Sequence, residues 1–241
     1  MPSLEAVADA AATALLEACL EHPRRPLGLA TGRTMAPVYA ALADQAGARP
    51  SREREALRQH WCSFNLDEYV GLGPDDPQSF AAEMRRGLCQ PLGVDPDRLC
   101  LPDGLAPDPA AEATRYGAAL RQAGGVGLQI LGLGMNGHVG FNEPPCGPDS
   151  GCRCVSLTAS TRQANATAFG GDPTRVPREA ITLGLAEILQ AERILLVVTG
   201  AAKAPVLRRL LQSPPSEEIP ASWLHGHPSV RLLADAAALA T

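Results

Sequence analysis

No run of lysine and arginine in this sequence is long enough to lay a stripe along a phosphate backbone, and the formal net charge is −5. A nucleic acid is therefore not among the expected partners. Long apolar runs are missing too. Strings such as Ile194 to Val198 fall far short of the roughly 20 residues that a membrane-spanning helix needs. Positive charge is absent from the opening stretch: Met1 to Leu20 carries Glu5 and Asp9, and Arg24 and Arg25 follow only after the apolar residues. That pattern is unlike a signal peptide, so the chain is expected in the cytoplasm. No CxxC pair occurs among the seven cysteines, which are odd in number and scattered. Reduced thiols are expected. Cys146, Cys152 and Cys154 cluster without a histidine at ligand spacing, so no metal is expected there.

What is present is ordinary globular material. The chain has 241 residues, 45% hydrophobic and 20% charged, with no repeat and no low-complexity linker. Disordered tails, collagens and coiled coils are excluded, and the length suits a single α/β domain over residues 1–241. Leu4 to Leu20 is Ala-rich and reads as a helix. Apolar strand-like runs follow at Leu27 to Ala30, Trp61 to Leu66, Gly127 to Leu133 and Arg193 to Val198, with a short late one at Val230 to Leu233. Helical patterns cover Ser79 to Leu88, Ala110 to Ala123 with Gly124-Gly125 as its stop, and Ser160 to Phe169 with Ser160 as a candidate N-cap. Strands without polar alternation, separated by helices, predict an open, mostly parallel sheet with helices on both faces, a modified Rossmann-like α/β fold.

Each of the four stronger strands turns Gly-rich or polar just past its C-terminal end. In a parallel sheet those ends share one edge, where ligands bind in open α/β folds. Thr31-Gly32-Arg33-Thr34, Asp67-Glu68, Asn136-Gly137-His138 and Gly200 to Lys203 are therefore expected to converge. Thr31 to Thr34 joins a strand to a helix, where exposed amides and the helix dipole favour an anion. It is neither a Walker loop nor a GxGxxG fingerprint, so a nucleotide is not indicated; a tight turn with no ligand fits equally well. Lys203 falls at a helix start, where a cation conflicts with the dipole unless an anion binds; a solvated surface lysine is the plainer alternative. Asp67-Glu68 offers a carboxylate that burial could turn into a general base, or else a loop carboxylate or N-cap. His138 with Glu143 five residues on is the apparatus for moving protons near neutral pH, or else a hydrogen-bonded loop histidine. No GxSxG elbow occurs, which disfavours a serine hydrolase.

These segments resemble the glucosamine-6-phosphate deaminase family. The likeness runs in order through Leu29 to Thr34, Phe64 to Leu72, Leu131 to Pro144, Ser160 to Asn165, Val198 to Ala204 and His227-Pro228, nearly the whole chain. The resemblance implies an aldose–ketose isomerisation coupled to deamination, with no metal or redox cofactor. Asp67 matches the base that moves a proton from C2 to C1 of the sugar. His138 matches the group that opens the pyranose ring, with Glu143 and Asn136 as its partners. Thr31, Gly32, Thr34 and Lys203 match the substrate's phosphate seat, and Arg33 lies within it where relatives have a small residue. Two further positions depart from the family pattern. Asn136 stands where many relatives carry Asp, and Thr167 stands where the pattern places a phosphate-binding arginine, a charge that Arg33 is positioned to replace. The basic residues of the allosteric site in longer, hexameric relatives are not recognisable around Gly147 to Thr158, so a monomer is expected. A 6-phosphogluconolactonase-like hydrolase and an inactive sugar-phosphate sensor are the alternatives.

Overall fold

The computed structural model describes residues 1–21 and 24–240. The chain opens with α1 (Leu4–Glu21), whose face of Val7, Ala11, Leu15 and Leu16 is buried, and enters β1 (Leu27–Leu29). Next come α2 (Ala36–Gly47), α3 (Ser51–His60) and β2 (Ser63–Asn65). After a single-residue corner at Leu66 comes β3 (Asp67–Tyr69). Ser79 caps α4 (Phe80–Met84) by accepting from the Ala82 N–H, and the helix runs through a wide π-turn at Arg85–Cys89 into α5 (Gln90–Leu92). β4 (Leu99–Cys100), α6 (Pro109–Gln122) and β5 (Leu128–Gly132) follow. The rest of the chain forms β6 (Arg153–Ser156), α7 (Ala159–Asn165), β7 (Glu179–Thr182), α8 (Leu185–Leu189), β8 (Arg193–Val198), α9 (Ala204–Gln212) and β9 (Val230–Ala234).

Six strands make one parallel sheet in the order β4-β2-β1-β5-β8-β9. Its inner strands are buried almost throughout, including the polar Ser63, Asn65 and Gln129, as strands covered on both faces must be. Chain order reverses between β1 and β5: the sheet grows through β2 on one side and through β8 on the other. Such a switch point opens a crevice at the C-terminal ends of the two strands. It falls between Ala30-Thr31-Gly32 and Leu133-Gly134.

A second sheet was not expected. β3, β7 and β6 pair antiparallel, with Asp67 opposite Thr182 and Cys154 opposite Ile181. Asp67-Glu68 therefore lies inside a strand rather than in a loop beyond one. Leu66 is the hinge between the sheets: its N–H donates to Leu29 O at 2.8 Å, and its carbonyl accepts from Leu183 N at 2.7 Å. A small core backs this sheet, built on Tyr69, Phe80, Phe141 and Phe169. The Tyr69 ring lies 4.6 Å from Phe80 and 5.6 Å edge-on from Phe169, centre to centre, within the range of favourable aromatic pairs. The N-cap of α7 is Thr158, which accepts from Thr161 N, rather than Ser160.

Candidate active site

The parallel sheet supplies the anion side. Beyond β1, Gly32 adopts φ +95°, a left-handed conformation that turns the chain into α2. Tyr39 reaches back from α2 and donates its hydroxyl to Ala30 O, fixing the strand end beside the turn. Arg33 is exposed, while Thr31, Gly32 and Thr34 are half-buried. Across the switch point, Lys203 donates to Leu133 O at 2.6 Å, so its ammonium is held at the end of β5. Burial first, and then the neighbouring Arg33 guanidinium, hold Lys203 below the ordinary lysine range. An anion placed between two cations that repel one another at a strand-end crevice would relieve both the repulsion and the desolvation. Lys203 is also the only lysine in the chain. Against 20 arginines, that singularity was a legible signal.

The small sheet supplies the carboxylates. Asp67 is 5% exposed and Glu68 1%. Burial, then the charges of Glu68 and Glu83, push Asp67 up to about 8. No described residue donates a hydrogen bond to its carboxylate, so nothing offsets the lost hydration. Glu68 differs. Its oxygens accept from the N–H groups of Tyr69, Phe80 and Ala81 at 2.8, 3.0 and 2.8 Å. Those donors favour the charged form, yet burial outweighs them and leaves Glu68 at about 7. Glu68 thus fastens β3 to the start of α4, whereas the Asp67 carboxyl is free to react.

The turn after β5 brings the histidine. A Cβ placed on Gly134 would lie 2.3 Å from His138 Nε2, so the imidazole packs directly on the Gly134 backbone and only glycine fits. Farther along, Gly140 has φ +57°, and a Cβ there would fall 3.5 Å from Asp67 Oδ2 and 3.2 Å from Thr182 Oγ1. The histidine turn and the Asp67 carboxyl therefore share one wall. Burial outweighs the nearby Glu143 charge and, helped by Lys203, lowers His138 to about 4, so the ring is neutral at pH 7. His138 Nδ1 and Glu143 Oε2 are sealed from solvent without a hydrogen-bond partner among the described residues. Glu143 Oε1 accepts from Thr158 N at 3.4 Å. Asn136 does not hold the ring as expected. Its Oδ1 accepts from the main-chain N–H of His138 at 3.2 Å, because the tight turn brings that amide, not the imidazole, within reach.

Three of the expected segments lie at the C-terminal edge of the parallel sheet and Asp67-Glu68 lies on β3 of the second sheet, and the chain matches the family model "Glucosamine-6-phosphate isomerases/6-phosphogluconolactonase" over residues 3–232. It is 42% identical over 238 residues to a glucosamine-6-phosphate deaminase of Rhodopirellula baltica, covering 99% of this chain and 92% of that one. The chain belongs to this family. A solved structure described as a monomeric glucosamine-6-phosphate deaminase superposes with TM-score 0.93 at 38% identity, covering 100% of this chain and 98% of that one. The 6-phosphogluconolactonase of Trypanosoma brucei shares the fold, with TM-score 0.75 at 20% identity over 99% and 95% of the two chains. No helix among the described residues is long and apolar enough to cross a membrane.

Within the glucosamine-6-phosphate isomerase/6-phosphogluconolactonase scaffold, several supporting residues were not among the candidate site residues, although Asn142 lies in the Leu131 to Pro144 segment. Asn142 donates to Val139 O and Leu183 O and accepts from Arg153 at 2.9 Å, tying the Glu143 turn to the end of β7 and to β6 of the small sheet. Asp235 accepts the Gly200 N–H with both oxygens and holds the Lys203 loop. Glu83 Oε1 accepts the Gly32 N–H at 3.0 Å. Thr167 is exposed beyond α7.

Proposed function

We propose that this protein is a glucosamine-6-phosphate deaminase, converting glucosamine 6-phosphate and water to fructose 6-phosphate and ammonia. The phosphate sits on the Thr31, Gly32 and Thr34 turn between Lys203 and Arg33. His138, neutral and backed by Glu143, accepts the anomeric hydroxyl proton and passes it to the ring oxygen as the C1–O5 bond breaks and the pyranose ring opens. Asn136 shapes the turn through the His138 amide and takes no proton itself. In the open-chain aldehyde, Asp67 removes the C2 proton, the electron pair forms the C1=C2 bond as the carbonyl π bond breaks, and O1 takes a proton from the adjacent C2 ammonium, giving an enolamine. The same carboxylic acid then delivers a proton to C1, leaving an imine at C2. Water adds to that imine and ammonia departs.

The observation that carries this reading is the Asp67 carboxyl: buried, without a donor, and sharing a wall with a neutral imidazole near a cationic strand edge. Lactone hydrolysis has no use for a base against a C–H bond, whereas isomerisation requires one. The deciding assay measures ammonia and fructose 6-phosphate formed from glucosamine 6-phosphate, beside hydrolysis of 6-phosphogluconolactone. Stoichiometric ammonia is expected. Lactone hydrolysis without ammonia, or tight binding of the amino sugar without turnover, would replace this reading by the lactonase or the sensor. A monomer is the matching oligomeric state, supported by the completeness of the site within one chain and checked by light scattering. The seven free cysteines support a reducing, cytoplasmic setting.

A further inference from the structure

The Gly32 amide, at the head of the proposed phosphate seat, already has an acceptor. Glu83 approaches from α4, and its Oε1 takes that N–H at 3.0 Å. α2, into which the turn leads, has no acidic residue in its own first turn. A strand-to-helix turn of this kind favours an anion, and in the free protein the anion is a side chain of the protein itself. Glu83 is half-buried and belongs to none of the segments that carry the family resemblance.

The same carboxylate also faces the base. Its charge acts on Asp67 and Glu68 of β3, on Tyr69 beside them, and on Tyr39 of α2. Asp67 is faced in turn by Glu68 and Tyr69 on its own strand, by Glu83 on α4, by Tyr39 on α2 and by Tyr116 on α6. Glu83 thus stands between the two halves of the site, bound to one and acting electrostatically on the other.

We propose that Glu83 is a specificity-determining residue, a resident carboxylate that contests the Gly32 amide with the substrate's phosphate. The inference rests on the reading of Thr31 to Thr34 as the phosphate seat. A phosphate monoester brings up to two charges and three terminal oxygens, and it meets Lys203 and Arg33 as well as the amide. It can displace or outbid a single carboxylate. A neutral hydroxyl at the same end of a sugar cannot, so the resident acid filters out unphosphorylated amino sugars. Because the Glu83 charge also opposes ionisation of Asp67, occupancy of the phosphate seat and readiness of the base are linked through one side chain.

The test compares the parent with Glu83→Gln, which keeps an acceptor of the same shape without charge, and Glu83→Leu, which removes both. Inorganic phosphate serves as a competitive inhibitor, and the pH profile of kcat/KM is recorded for each protein. Phosphate Ki and substrate KM should fall in both variants, by about tenfold, the worth of one charge-assisted hydrogen bond. The acid limb should move to lower pH, since losing a like charge favours ionised Asp67. A purely structural clasp between α4 and the turn predicts the opposite: a loosened turn, higher Ki and higher KM, most of all in Glu83→Leu. That outcome, or an unchanged Ki and acid limb in Glu83→Gln, overturns the inference. If the parent itself releases no ammonia and ignores phosphate, the reading of the seat fails along with it.

Discussion

The two sheets contribute in opposite ways. The parallel sheet gives backbone and cations at its carboxyl edge, where strand ends and turns leave amides directed outward. The antiparallel sheet gives acids from within a strand, dried by burial and crowded by like charge. One half of the site therefore attracts negative charge and the other resists it. A substrate with phosphate at one end and a C–H bond to be broken at the other suits that polarity. What the contrast teaches is that binding here depends on charge left uncompensated, and catalysis on charge made costly.

The comparison breaks most visibly at Asp67. Replacement by Asn keeps the shape and removes the proton acceptor, so kcat should fall by about 10²–10⁴-fold, the usual worth of a positioned general base. Loss of substrate C2 hydrogen should fall with it. C2 hydrogen loss at the parent rate would show that the base lies elsewhere. On the cationic side, Lys203→Met removes a half-buried charged donor worth roughly 1.5–3 kcal/mol. KM should therefore rise by about 10- to 100-fold, with kcat changed less. Arg33→Ala should raise KM by only a few-fold, because an exposed guanidinium is screened by solvent. Equal effects at both positions would mean that Arg33 folds onto the ligand when it binds.

The dry half also has a cost in stability. Asp67 titrates near 3.8 when unfolded and at about 8 in the fold. Between those values the folded state binds a proton that the unfolded state lacks, so the Asp67 contribution falls as pH rises from about 4 to about 8. Asp67→Asn should therefore raise Tm more at pH 8 than at pH 5, by a few degrees, at about 2–4 °C per kcal/mol for a chain of this size. The smallest effect belongs to Asn136→Asp. His138 sits at about 4, well below the Asp67–Glu68 pair, so the acid limb of kcat/KM reports that coupled pair. The Asn136→Asp limb should stay in place. A clear move to higher pH would show that the histidine governs the profile.

The difference between the sheets also explains what could be read in advance. Leu27 to Leu29, Leu128 to Gly132 (with Gln129 its one polar residue) and Ile194 to Val198 are dominated by apolar residues without polar alternation, and a buried parallel strand is what such runs encode. Their glycine-rich ends marked the edge where the site lies. β3 was hidden because Asp67-Glu68 looks like a loop; its burial comes from β7, more than 100 residues away, and no local pattern announces that pairing. β6 is half-exposed and only four residues long, too short to show a period. Glu83 was invisible for a related reason: its partner, Gly32, is 51 residues distant, and a glutamate on a helix is ordinary in sequence. The histidine turn was legible as a segment but not in its hydrogen bonds. Spacing brought Asn136 near His138, and only coordinates show that it meets the amide rather than the ring.

The seclusion of Asp67 implies that the reaction carries a memory. A carboxylate that is 5% exposed meets little water. As the base proposed above, it would set down on C1 part of the hydrogen it lifts from C2. One carboxyl serving both carbons also works from one face of the planar intermediate. Deuterium placed at C2 of the amino sugar should therefore reappear in part at C1 of the ketose, in a single stereochemical position, when the reaction runs in ordinary water.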